Sequence, residues 1–414
     1  METAAFCFAV DLISDPPGAV LDEISMLGFD GIVLAAAYHE ARDYLPHNMT
    51  NRVHYSPAGV CFEADASLYG PEMQPHPLLP VCADRDLLVG TIERARARGM
   101  FVDAWIVYLH RDGRPSEALA GRGFVENAFG DVSPVALCPA SPVSRRYAVA
   151  LTRDVCRRRP RSIVAEALHY LPFGHDYHHE RLFLPLTGIQ RTLLALCFCS
   201  CCRSAAQAAD VDVERLASWV RDVVDGEVGV DCATPWNRAS FCTLSGSVDD
   251  DALATYLDLR EQHVSTLADL CSSVALAAGV EFRFLDLSAA VGGRATGASE
   301  GPGGVEVAWQ LGVDLLAVER HCQLLVAPYV REPADMASEI AGYIELLQSP
   351  LGGVVLRPMP PDCLDTDNLI DKVRQLWEQG ITHVGYYHYG MASKAVLTRI
   401  SAAHRQLARQ QLSS

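Results

Sequence analysis

Short apolar runs rich in β-branched and aromatic residues recur along this chain, and between them apolar residues return at helical spacing. The first run is "FCFAVDL" (6–12), followed by "GAVLDEISMLG", in which Val20, Ile24 and Leu27 share one helical face. "DGIVLAAAYHE" comes next, then a long connection over about 41–83 rich in Pro, His and Tyr. "DLLVGTIERARARG" reads as a helix closed by a glycine and leads into "MFVDAWIVYLH". "PVSRRYAVALTRDVCRR" is helical and "SIVAEALHY" extended. Four further strands are "VEFRFLDLS" (280–288), "CQLLVAPYV" (322–330), "GGVVLRPM" (352–359) and "ITHVGYYHYG" (381–390). Helices are expected over 306–320, 333–348, 367–379 and about 393–410.

Runs that are apolar throughout are buried on both faces, and helical connections between them imply parallel pairing. Eight such units predict an α/β chain folded as a (β/α)8 TIM barrel, with an open parallel sheet as the alternative. No linker divides the chain, so residues 1–414 are expected to form one barrel domain with extended loops at about 41–83, 171–185 and 289–304. No G-x-G-x-x-G follows any strand, which counts against a dinucleotide-binding fold. The small-residue run "GGRATGASEGPGG" (292–304) reads as a loop over the barrel mouth.

Composition changes this picture little. Half of the 414 residues are hydrophobic and 21% are charged, as in an ordinary globular protein. The formal net charge of −17 disfavours nucleic acid and anionic membranes and suits a neutral or cationic small ligand. The opening residues lack a basic region ahead of their apolar run, and no stretch reaches the length of a transmembrane helix. A cytoplasmic location is therefore expected, where the 14 cysteines would remain thiols. Assembly into a homo-oligomer is compatible with the chain.

Four of those cysteines crowd into "LCFCSCC" (196–202). Cys197, Cys199 and Cys202 form C-x-C-x-x-C, a spacing from which thiolates can converge on one tetrahedral Zn2+. The candidate fourth ligand is Cys138, in the Cys-Pro turn of "ALCPASPVSRRY", with Cys201 as a spare or a substitute. The competing reading is that these are small buried hydrophobes.

The pair "LCPASPVSRRY" and "LCFCSCC" resembles two segments of the zinc-containing β-galactosidases of bacteria, and the chain more broadly resembles glycoside-hydrolase-like barrels. The resemblance implies a structural zinc held by Cys138, Cys197, Cys199 and Cys202, and an acid/base glutamate ending the fourth strand, where this chain has Glu166. The chain departs from that family in having Ala165 before the glutamate, where the family has Asn. It also places Arg357, with no glutamate, at the end of the seventh strand.

In a barrel of this kind chemistry collects at the carboxyl ends of the strands. Those ends carry Asp11, Tyr38, His39, Glu40, Tyr108, His110, Glu166, His169, Tyr170, Asp286, Tyr329, Arg357, Tyr387, His388 and Tyr389. Carboxylates beside flat rings suit a sugar. Glu166 follows an apolar run that would raise its pKa as a general acid requires, and Asp286 on the next strand is the candidate partner carboxylate. His39, His47, Trp105, His169, Tyr170, Tyr329, Arg357, Tyr387 and His388 are the expected substrate contacts. The expected function is a glycoside hydrolase-like enzyme acting on a carbohydrate or glycosylated small molecule. Two alternatives stand beside it. One is a metal-dependent hydrolase or isomerase using His169, His175, His178 and His179, and the other a barrel that only binds carbohydrate.

Overall fold

Eight parallel strands close into a ring: β1 (Glu2–Cys7), β2 (Gly31–Tyr38), β3 (Phe101–Val107), β4 (Ser162–Glu166), β5 (Glu281–Asp286), β6 (Gln323–Val326), β7 (Gly353–Leu356) and β8 (His383–Tyr386). Each pairs with its neighbour in sequence, and β1 pairs with both β2 (Ala4↔Gly31) and β8 (Ala4↔Gly385), which leaves no open edge. The expected (β/α)8 barrel is present. The computed structural model describes the chain apart from residues 15, 49, 80–81, 83–85, 112–121, 176–180, 182, 184–185, 227–236, 246–250, 298–300 and 412–414. In the final helix it describes side chains as far as residue 406.

Alternation along each strand divides the core in two. Phe6, Val33, Ala35, Trp105, Val164, Leu285, Leu325 and Val355 point into the ring. Ile32, Leu34, Ile106, Ile163, Phe284, Val326 and Val354 point outward, into a layer shared with the helices. Both faces are apolar, which is why these strands read as continuous hydrophobic runs. The ring is tight: a Cβ at Gly31 would lie 2.3 Å from the Phe101 side chain.

The outer helices carry the signals that fix their ends. Thr366–Glu378 buries Leu369, Ile370, Val373 and Leu376 on one face, and Asp365 caps it by accepting from the Asn368 N–H. Pro142–Cys156 begins with proline after a capping Ser141, and Pro333–Leu346 also begins with proline. The connection from β4 to β5 is the longest and holds Gly188–Leu194, Ser200–Ala208, Val213–Asp225 and the 26-residue Ala252–Ala277.

Two elements differ from expectation. The first strand starts at Glu2 and stops at Cys7, because the Asp11 carboxylate accepts the Phe8 N–H (2.8 Å) and curls Ala9–Leu12 into a 3-10 turn. The helix expected over 306–320 is broken into Ala308–Leu311 and Leu315–Glu319. Gly312 between them adopts φ +70, and Asp314 then caps the second piece. No helix among the described residues is long and apolar enough to cross a membrane.

Candidate active site

Glu166 is the last residue of β4, and its parity with Val164 turns it toward the interior at the carboxyl end of the ring. It is half-buried, and its described hydrogen-bond partner is the indole of Trp105, whose Nε1–H donates to Oε2 at 2.5 Å. Burial raises the carboxyl to about 7, and the Trp105 hydrogen bond opposes that rise.

An aromatic wall surrounds it. Tyr38, ending β2, meets Trp105 edge-on (centroids 4.7 Å apart), and its hydroxyl lies near enough to that of Tyr387 for each to influence the other. Tyr387, just past β8, also lies edge-on to Trp105 (5.9 Å) and to Tyr329 (6.5 Å). Burial, then the nearby Glu166 charge, pushes Tyr387 up to about 12. Tyr329 has φ +48, a conformation seldom adopted by a bulky residue, and the Arg357 guanidinium lies 4.7 Å over its ring. Arg357 also donates to both Asp362 oxygens (2.7 and 2.9 Å) and to the carbonyls of Arg294 and Ala295, so it pins the loop that follows β5.

A hairpin, Ala41–Tyr44 paired with Val53–Ser56, follows β2 and sends Leu45 into the inner cluster. His47 on its turn bonds the Tyr389 carbonyl through Nε2 (2.9 Å), so it latches the hairpin to the region after β8. The inward side of the hairpin carries Asp43, which the sequence reading passed over. Burial pushes Asp43 up to about 6, and its charge, with that of Glu166, raises Tyr38 and Tyr387. Its signal was the alternation in "RDYL", where Asp43 shares a side with Leu45.

Several expected residues lie elsewhere. Asp286 faces outward: Leu285 takes the interior position, and the aspartate accepts hydrogen bonds from Tyr343 and Ser288 among the helices. His169 and Tyr170 leave the mouth because Ala167 turns the chain with φ +52. His169 is buried beside Phe284 in the outer layer, and burial lowers it to about 4. Tyr170 points to the cysteines, with its hydroxyl 3.6 Å from Cys202 Sγ and 3.1 Å from His263 Nδ1. Trp105 lies beneath the carboxylate instead of along a cleft. His388 is buried, stacked 3.8 Å from Phe8, with Nδ1 accepting from Gly390 N–H. His39 stays at the rim between Tyr38 and His110, with ring centroids 4.2 and 4.4 Å away. Tyr177, His178 and His179 lie outside the described residues.

A cavity of about 460 Å³ opens among the loops after β4 and β5, with Phe173, Arg191, Thr192, Gly292 and Thr296 in its wall. Glu166 does not line it. Arg357 holds the carbonyls of Arg294 and Ala295, just before Thr296 in the cavity wall.

Behind β4, on the side away from the interior, four thiols converge. Cys138 Sγ lies 3.5 Å from Cys202, 3.6 Å from Cys199 and 3.7 Å from Cys197. All four are buried, and their sulfurs lie within 4.8 Å of one another. These distances are too long for disulfides and close to the roughly 3.8 Å edge of a tetrahedron with metal–sulfur bonds of about 2.3 Å. Cys199 stands at the N-cap of Ser200–Ala208, so the amino-terminal end of that helix favours a negative charge beside the cluster. The donor set and spacing therefore fit a metal ion. Cys201 is excluded from the cluster, and among the described residues this is the only group of its kind.

No protein-family model and no curated protein matches the chain. Solved structures do. The glycoside hydrolase domain of PgaB (BpsB) from Bordetella bronchiseptica matches with a TM-score of 0.55 at 14% identity, over 97% of this chain and 98% of that one. The catalytic domain of a β-amylase from Paenibacillus polymyxa matches with a TM-score of 0.54 at 11% identity, over 98% of each. A β-galactosidase from the psychrophilic Marinomonas ef1 matches with a TM-score of 0.50 at 9% identity, over all of this chain and 60% of that one. The chain thus has the fold of the glycoside hydrolase TIM barrels. At these identities the likeness extends to the fold alone.

Proposed function

We propose that the protein is a glycoside hydrolase acting on a carbohydrate or glycosylated small molecule, with Glu166 as its general acid. The observation that carries this reading is the placement of Glu166, which closes β4 at the barrel mouth against the Trp105 indole and among tyrosine rings, where burial raises its carboxyl to about 7. Such a group can give its proton to a glycosidic oxygen as the bond to the anomeric carbon breaks. Tyr38, Tyr329 and Tyr387 offer flat faces and hydroxyls to a pyranose, and the net charge of −17 favours a neutral ligand over a polyanion.

The four thiols are read as a structural zinc site, because a closed tetrathiolate leaves no open position for catalysis. When bound, the ion ties the Cys138 turn to the 197–202 segment behind the wall that carries Glu166. The described cysteines are free, which fits a reducing, cytoplasmic setting.

A specific observation favours a second reading, a barrel that binds sugar without cleaving it: the residue just past β7 is Arg357, committed to Asp362, and not a free carboxylate. Turnover of a panel of aryl glycosides separates the two. Glu166→Gln is expected to lose about 10²–10⁴-fold in kcat with its fold retained. Unchanged turnover in that variant removes Glu166 from the chemistry, and sugar binding without turnover in the wild type favours the binder.

A further inference from the structure

Six aspartates are buried among the described residues: Asp11, Asp43, Asp103, Asp154, Asp286 and Asp362. Five have donors. Asp11 takes the Phe8 N–H, Asp103 takes Arg161, Asp154 takes Arg158 and the Tyr69 hydroxyl, Asp286 takes Tyr343 and Ser288, and Asp362 takes Arg357. No donor among the described residues reaches the Asp43 carboxylate, although the residue is only 8% exposed. A carboxylate buried without a partner costs several kcal/mol, and folded proteins keep such groups mainly where something from outside completes them.

The placement of Asp43 says where that something would come from. Arg42 and Tyr44 face solvent while Asp43 and Leu45 face inward, and His47 fixes the hairpin against Tyr389. The hairpin that carries Asp43 follows directly on Tyr38, and burial first, then the charges of Glu166 and Asp43, oppose ionisation of Tyr38. One carboxylate comes from the barrel wall and the other from the hairpin above it.

We propose that Asp43 is the second catalytic carboxylate, the base that takes a proton from an attacking water. This rests on the glycosidase reading and deepens it. The water oxygen bonds to the anomeric carbon as the glycosidic C–O bond breaks. Asp43 accepts the water proton, and Glu166 gives its own proton to the leaving oxygen. Both groups reset by exchange with solvent, one water is consumed, and nothing is oxidised or reduced. Attack from the face opposite the leaving group makes the reaction inverting. The groups facing Asp43 are Asp11, Tyr38 and Tyr387, with His54 opposite it on the hairpin. Those facing Glu166 are Trp105, Tyr38, Tyr329 and Tyr387.

The test uses the full chain and an aryl glycoside that the wild type turns over. Asp43→Asn is expected to lose about 10²–10⁴-fold in kcat with little change in KM, and to lose the acid limb of the kcat/KM profile while the alkaline limb stays. The wild type should release a product of inverted configuration, and in Asp43→Ala azide should restore turnover. A kcat within about 3-fold of wild type in Asp43→Asn, while Glu166→Gln is inactive, overturns the proposal and leaves the glycosidase reading standing. A retained configuration in the wild-type product overturns the role of base, since it would make Asp43 a nucleophile. An unfolded Asp43→Asn would also overturn it, since the carboxylate would then have a structural partner. A wild type inert toward every glycoside removes both readings together.

Discussion

At the amino-terminal end of the ring, Arg161 grips Asp103 with two hydrogen bonds (2.8 and 2.5 Å), reaches Glu2 at 2.7 Å and lies over the Phe101 ring. Arg283 bonds Glu281 at 2.7 Å and lies 3.7 Å from Asp103, and His383 lies 3.1 Å from Glu2. The hydrogen bond from His383, with Arg161 beside it, holds Glu2 down at about 2 against the pull of burial. At the carboxyl-terminal end the signs reverse: Glu166 rises to about 7 and Asp43 to about 6 because burial acts on them without a cation. The same ring thus neutralises Asp103 and Glu2 at one end and leaves Glu166 and Asp43 costly at the other, where Asp362 is paired with Arg357. Charges that serve only the fold can be given partners, whereas a group that must exchange a proton is disabled by one.

The comparison breaks most visibly in thermal stability. Asp103→Asn leaves Arg161 and Arg283 without their shared anion and is expected to cost about 3–5 kcal/mol. Glu166→Gln removes an ill-solvated carboxylate and is expected to hold or raise the Tm. Parallel melting curves decide, and equal losses from both variants would erase the distinction between the two ends.

The cysteine cluster gives the next effect. Cys199→Ser should lose its bound metal by elemental analysis and melt several degrees lower, while Cys201→Ser should keep both. Retained metal in Cys199→Ser would detach the cluster from any role in bracing β4.

Smaller effects appear with pH. Glu2, lowered when folded, stabilises the fold above its ordinary value of 4.5, and that contribution fades as pH falls toward 2. Glu166 and Asp43, raised when folded, work the other way. Stability declines as pH rises from about 4 through 6 and 7, where the folded state holds protons that the unfolded chain has released. Denaturant midpoints against pH should lose the first slope in Glu2→Gln, and the second should become shallower in Glu166→Gln, where Asp43 still contributes.

The smallest shift is expected from Trp105→Phe. Deleting the donor to Glu166 should move the alkaline limb of activity up by less than about one pH unit. A downward move would mean that the indole is not the group opposing burial.

Much of this was legible from the residues in order. Eight two-sided apolar runs marked the strands, and "SIVAE" put Glu166 at a strand end because the acid closes the run. The C-x-C-x-x-C spacing and the Cys-Pro turn marked the thiol cluster. Asp286 ends its strand as its position in the run suggests, but parity gives the inward position to Leu285. His169 and Tyr170 were assigned to the mouth as though β4 ran straight on, whereas the turn at Ala167 sends them outward.

The sequence by itself determined the elements that local periodicity dictates: the buried strands, the capped helices and an acid closing the fourth run. Period and capping act between near neighbours, so a one-dimensional reading captures them. Only the tertiary structure decided which side of the ring each strand-end residue faces. It also decided that the hairpin folds over the mouth to set Asp43 beside Tyr38, and that Arg161 spans from Asp103 to Glu2. Those outcomes depend on ring closure and on contacts between segments far apart in the chain, and burial raises or lowers a carboxyl only once those contacts exist.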